Sequence, residues 1–167
     1  MIDLQRALRH LAWSDAWLFD TMAAYPDDAF EARYAPQASS VGELLKHIVD
    51  GAEWYRYCLT GESWTDIGVP HSGAEVTALA AHLASIDRLL LAQAEMEDEV
   101  VVFRDEEGES RALRSTILTQ ACLHAIEHRA QIACALEVAE FPPLPLDDVD
   151  LWAFEMSERA EDPGTKE

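Results

Sequence analysis

Over most of the chain's 167 residues the apolar positions recur with helical spacing rather than alternating. Ala7, Leu8, Leu11, Ala12, Leu18, Phe19 and Met22 form one stripe, Asp3 stands where an N-cap belongs and Pro26 stops the pattern, which predicts a first helix over about residues 4–25. The stretch PDDAFEARYAPQAS has no sustained period and reads as a loop with one short turn. Ser40, three residues ahead of Glu43, forms a capping box. Val41, Leu44, Leu45, Ile48, Val49 and Ala52 then carry a second helix over about 41–60, closed near Gly61. The same spacing recurs at Ser72 and Glu75, ahead of an alanine- and leucine-rich third helix over about 74–98.

Past that point the period changes. VVVF is β-branched and aromatic, RDEEGE supplies a turn around Gly108, and SRALR can return antiparallel, so a small hairpin is expected. Ser115 or Thr116 opens a fourth helix that reaches about Glu140, where FPPLPL ends it. DVDLWAFEMSERA forms a short fifth helix after Asp147 or Asp148, and the tail at residues 161–167 is expected to fray. Four substantial amphipathic helices, one hairpin and no repeat predict an all-α helical bundle, a single domain over residues 1–160. Periodicity leaves the order of helix packing open.

Composition narrows the function classes. With 49% apolar and 26% charged residues the chain has enough material for a core. Its 32 acidic residues against 12 basic ones give a formal net charge of -20, which repels phosphate backbones and argues against nucleic-acid binding. Cys58, Cys122 and Cys134 show no C-x-x-C spacing, and no basic-then-apolar leader opens the chain, so a cytoplasmic protein without a disulfide framework is expected. No apolar run approaches the roughly 20 residues of a membrane span.

Against that background CLHAIEHRAQIACAL, residues 122–136, raises a question, because it sets two imidazoles into an otherwise core-like helix. Residues four apart lie on one face with Cβ atoms about 5–6 Å apart, so His124 and His128 can reach a single ion. Such pairs also arise by chance on helix surfaces. Here Ile117, Ala121, Ile132 and Ala135 share or border the stripe, which turns the rings toward the core side, where they need partners. His47, at the edge of the second helix's apolar stripe, is the best third ligand. Three histidines leave one tetrahedral position open, the arrangement of catalytic rather than structural metal sites.

The other histidines read as packed or solvent-exposed: His10 beside Trp13 and Trp17, His71 in a loop, His82 between Leu79 and Ile86. Glu53 and Glu127 fit either as acceptors behind the ligands or as surface and helix-pairing carboxylates. Cysteine nucleophiles are the rival chemistry, but Cys122 points away from His124 around the helix and Cys58 lies turns beyond His47, which suits buried apolar roles.

VGELLKHIVDGAEWYRYCLTGE resembles the second helix of the DinB-like (DinB/YfiT) family of metal-dependent proteins, and LHAIEHRAQIACAL is similar to its H-x-x-x-H-R-G-Q signature, with Ala130 where glycine is common. The Trp13 segment and the ending PPLPLDDVDLWAFE also fit. The resemblance implies a four-helix bundle of up-down-down-up course, with zinc or nickel held by His47, His124 and His128. It also implies a homodimer and a metal-dependent enzyme, a thiol S-transferase or a hydrolase, using a low-molecular-weight thiol against an electrophile. In that reading Trp13, Trp17 or Trp54 wall the pocket. Two alternatives stand beside it: a non-catalytic, metal-stabilised, stress-responsive binding protein, and a plain helical dimer whose histidines are vestigial.

Overall fold

The computed structural model describes residues 3–161. Among them the regular elements are mostly helical: α1 (Leu4–Ala23), α2 (Val41–Thr60), α3 (Gly73–Gln93), α4 (Arg114–Val138) and α5 (Leu151–Glu161), with one antiparallel hairpin of β1 (Val100–Asp105) and β2 (Gly108–Leu113). No helix among these residues is long and apolar enough to cross a membrane.

Local chemistry accounts for most boundaries. The Asp3 carboxylate accepts the Arg6 N–H at 2.7 Å and starts α1. In α2 the capping box closes in both directions, with Ser40 Oγ accepting from Glu43 N at 3.2 Å and Glu43 Oε2 from Ser40 N at 2.6 Å. Gly61 ends α2 at φ 74, a left-handed value that suits a residue without Cβ, and its N–H bonds the Tyr57 carbonyl. At Ser72 the box is only half formed, because Glu75 reaches past the cap to the His71 N–H.

Two expectations are corrected by tertiary contacts. The third helix ends at Gln93, not near residue 98, and the fourth begins at Arg114 without a cap of its own. The acidic segment between them serves as that cap. Asp98 accepts both the N–H and the hydroxyl of Ser115 at 2.9 and 2.8 Å, while the buried Arg114 guanidinium bonds the Glu97 carbonyl and Glu99 carboxylate. At the other end of α4, Glu140 takes a left-handed φ of 60. Its N–H and that of Phe141 bond the carbonyls of Glu137 and Leu136, a Schellman closure in which glutamate stands where glycine is usual.

The expected loop between α1 and α2 contains one 3-10 turn, Asp27–Glu31. The hairpin forms in the register Val100↔Leu113 to Asp105↔Gly108, with β1 lying on α2. α5 starts where Asp150 accepts the N–H groups of Trp152 and Ala153, and it is pinned to α1 through Arg6 and Glu158. The tail expected to fray lies, from residue 162, outside the described residues.

α1 packs on α3 and α4, and α2 packs on the same two helices. The side chains that meet between them, among them Leu18, Phe19 and Met22 of α1, Leu45 and Val49 of α2, Ile86 and Leu90 of α3, and Leu118, Ile132 and Leu136 of α4, form one buried cluster. The pairing of α2 with α4 is the contact that builds the site.

Candidate metal centre

His47 leaves α2 at the edge of a buried face made by Leu44, Leu45 and Ile48, and α4 presents His124 and His128 opposite it. The three imidazoles converge. One nitrogen from each lies within 4.8 Å of the other two, and Nε2 of His124 is 3.3 Å from Nε2 of His47. Two nitrogens bound at about 2.0–2.1 Å to one tetrahedral ion would stand about 3.3–3.4 Å apart, so this separation suits two ligands of a shared cation. His47 is the most exposed of the three, which opens the site to solvent at the rim of the helix pair rather than burying it in the core.

Each ring has a local reason for its position. Nδ1 of His128 donates to Gln131 Oε1 at 2.8 Å, which leaves its Nε2 lone pair free and sets the ring's orientation. His124 meets the edge of Tyr55, with ring centroids 5.9 Å apart, and lies directly over Gly51, where a Cβ would stand 2.7 Å from its Nδ1. A glycine in the middle of a helix is costly by itself, so its place one turn after His47 marks a close approach. Gly51 is thus a signal of the site legible in the sequence itself.

Electrostatics favour the neutral form of two of these imidazoles, His124 and His47. Burial first, then the nearby His128 and His47, pushes His124 down to about 4; burial and His128 lower His47 as well, against a smaller pull from Asp50. Neutral imidazoles bind a cation without first losing a proton.

Beside the histidines opens a recess of about 480 Å³, lined by His47, Gly51, Tyr55 and His124 and walled by Trp54 and Trp64. Of the tryptophans expected to line a pocket, Trp54 does. Trp13 instead packs on His10 and Phe154, and Trp17 packs against the core. Their stripe on α1 faces α5 and the interior, away from the α2–α4 seam. Trp64, in the chain between α2 and α3, carries no signal in the sequence, because nothing periodic surrounds it.

Glu53 also lines this recess and is 1% exposed. It accepts from Arg56 at 2.6 and 2.9 Å, from His82 Nε2 at 2.6 Å and from the Thr65 N–H at 3.3 Å. Burial alone would raise its pKa, but these donors outweigh it and hold the carboxylate below its ordinary value. It is therefore a helix-pairing carboxylate between α2 and α3, and a buried one. His82, expected to be packed or solvated, is its partner. His10 donates to the Val149 carbonyl at 2.8 Å and exposed His71 meets Glu31 at 2.9 Å, as packed and surface histidines do.

Cysteine chemistry finds no support. Burial pushes Cys58 up to about 12 and Cys122 up to about 11, so both are protonated thiols at neutral pH. Outside the recess, Asp15, Asp87 and Arg129 form a buried charged trio, in which Arg129 Nη2 stands 3.7 Å from Asp15 Oδ1. Among the described residues, Oδ1 of each aspartate and that Nη2 lack hydrogen-bond partners. Burial raises both carboxyl pKa values and lowers that of Arg129.

The family model described as DinB family matches residues 1–159 of the chain, nearly all of it. Comparison with curated proteins gives no match.

Proposed function

This chain belongs to the DinB family, and from that membership together with its three convergent imidazoles we propose that it works with a divalent ion, zinc or nickel, held by His47, His124 and His128. The observation that carries the reading is the 3.3 Å between Nε2 of His47 and Nε2 of His124, the spacing of two donors on one tetrahedral centre. An ion in that place supplies Lewis acidity, favouring the deprotonated form of a thiol or water in the position the histidines leave open. The remaining work falls to the chain. Gln131 fixes the tautomer of His128, Gly51 makes room for His124, and Tyr55 and Trp54 keep one side of the recess apolar while exposed His47 faces solvent.

On this reading the protein is an enzyme that brings a low-molecular-weight thiol to an electrophile, a thiol S-transferase, with hydrolysis the nearest related activity. A recess of about 480 Å³ suits reactants of that size. One observation favours the second reading, a non-catalytic metal-stabilised binding protein of the stress response: Glu53, the buried carboxylate of the recess, is already bonded to Arg56, His82 and Thr65 and is not free to act as a base. The proposal includes an up-down-down-up four-helix bundle, supported by the pairing of α1 and α2 each with α3 and α4, and a homodimer, supported by exposed Leu123 and Ile126 on α4; a cytoplasmic location is proposed with it from the cysteine spacing.

Metal analysis of tag-free protein reconstituted with zinc or nickel tests the site. About one equivalent is expected, falling sharply in His128→Ala; less than about 0.1 equivalent refutes it. Thiol consumption with an electrophile then separates the readings, since metal-dependent turnover supports the enzyme and its absence with every thiol supports the binding protein.

A further inference from the structure

The recess at the histidines continues into a second and larger one. Trp54 and Trp64 line both, and beyond them a groove of about 870 Å³ runs between α2 and the hairpin. Trp54, Tyr57 and Trp64 form its floor as a mutual triangle with ring centroids 5.6, 5.8 and 5.8 Å apart, and Phe103 of β1 supports Trp54 edge-on at 5.8 Å.

Trp64 is the informative member. It is 56% exposed, on a stretch without regular structure, yet its neighbours on both sides are tied to α2. Arg56 donates to the Ser63 carbonyl at 2.8 Å and to Glu62 at 2.6 Å, and Glu53 accepts the Thr65 N–H. Three backbone or side-chain anchors thus hold a large apolar ring in water, next to an aromatic floor. Folding gains little from such a placement, whereas a ligand gains a preformed surface.

The charge around this floor selects among ligands. The hairpin turn contributes Asp105, Glu106 and Glu107 against the single cation Arg104. Ring faces carry partial negative charge, and an acidic rim adds to it, in a chain of net charge -20. We propose that this groove is the subsite for an organic cation, an alkylammonium or quaternary ammonium group on the substrate whose reacting end reaches the histidines. The assignment rests on reading the histidine site as the reaction centre, but the subsite itself contains no metal ligand.

The test compares three probes of one shape and different charge: choline, the neutral 3,3-dimethylbutan-1-ol and the anionic 3,3-dimethylbutanoate. Binding is followed through the indole N–H signals of Trp54 and Trp64 by NMR, in the wild-type protein and in His47→Ala. The expected result is that choline binds about tenfold more tightly than the neutral probe and more tightly still than the anion, with the same affinity in His47→Ala. Trp64→Ala should lose about tenfold. The double substitution Glu106→Gln and Glu107→Gln, confined to an exposed turn, should weaken choline while leaving the neutral probe unchanged. Equal binding of choline and its neutral isostere, preference for the anion, no shift at either indole, or full affinity in Trp64→Ala would each overturn the proposal. Retained choline binding in a protein that takes up no metal would overturn the metal site and not the subsite.

Discussion

Replacing Gly51 by alanine separates metal binding from folding, because the two should move in opposite directions. Gly51 is buried in the middle of α2, one turn after His47. An added Cβ would lie 2.7 Å from Nδ1 and 3.1 Å from Nε2 of His124, and nearer still to Cε1. These are repulsive separations, and the obstacle is the end of a side chain, so the imidazole can rotate away without displacing α4. Helix propensity meanwhile favours alanine over glycine by about 1 kcal/mol, which offsets the cost of moving one ring. A displaced His124 leaves two of three donors. Disturbing groups merely behind a ligand costs about 10–100-fold in metal affinity, so losing the ligand itself should cost at least about 100-fold, or about 2.7 kcal/mol. Zinc affinity is read by competition with a chromogenic chelator, and stability of the metal-free protein by urea unfolding. Expected are an unfolding midpoint equal to or above that of wild type and a zinc affinity lower by about two orders of magnitude. Wild-type zinc affinity in Gly51→Ala would refute the geometry, and a loss of more than about 2 kcal/mol without metal would show that the ring is not free to yield.

Two further outcomes follow from buried ionisable groups. Asp87 faces Asp15 and Arg129, and burial followed by the Asp15 charge raises its pKa above the unfolded value of about 4. Stability that is complete below that value is therefore lost as pH rises through the folded one, and Asp87→Asn, which leaves one carboxylate for one guanidinium, should exceed wild type by roughly 1–3 kcal/mol near pH 8, the gap closing toward pH 4. Urea midpoints across that range check it, and a gap independent of pH would contradict it. A thiol-specific reagent at pH 7.5 should modify exposed Cys134 first, with Cys58 and Cys122 reacting only on unfolding; fast modification of either buried thiol would reopen cysteine chemistry.

Where sequence reading succeeded, the responsible interactions are local. The bounds of α2 follow from Ser40, Glu43 and Gly61, each acting within four residues of itself. The hairpin and its Gly108 turn are equally local. His124 and His128 share a face because of helical pitch alone, and His47 stands out by its apolar neighbours Leu44, Leu45 and Ile48. The misreadings have the opposite character. Helix propensity continues past Gln93, yet Glu97, Asp98 and Glu99 are taken up by Arg114 and Ser115, a competition invisible to any window of spacing. Periodicity leaves the rotation of α1 about its axis open, so choosing among Trp13, Trp17 and Trp54 for the pocket wall takes the tertiary structure, which selects Trp54.

By itself, then, the chain's pattern determined which segments are helical, that one hairpin interrupts them, and which imidazoles were candidates, since these depend on contacts a few residues apart. Only the tertiary structure brought His47 and His124 within 3.3 Å across 77 positions, laid Gly51 beneath His124, and joined Glu53, His82 and Thr65 into the support for Trp64. Those contacts depend on which helix faces pair and at what rotation. Many pairings bury similar apolar area, so the choice rests on close-packed shape, and shape is a property of the whole core rather than of any stretch of it.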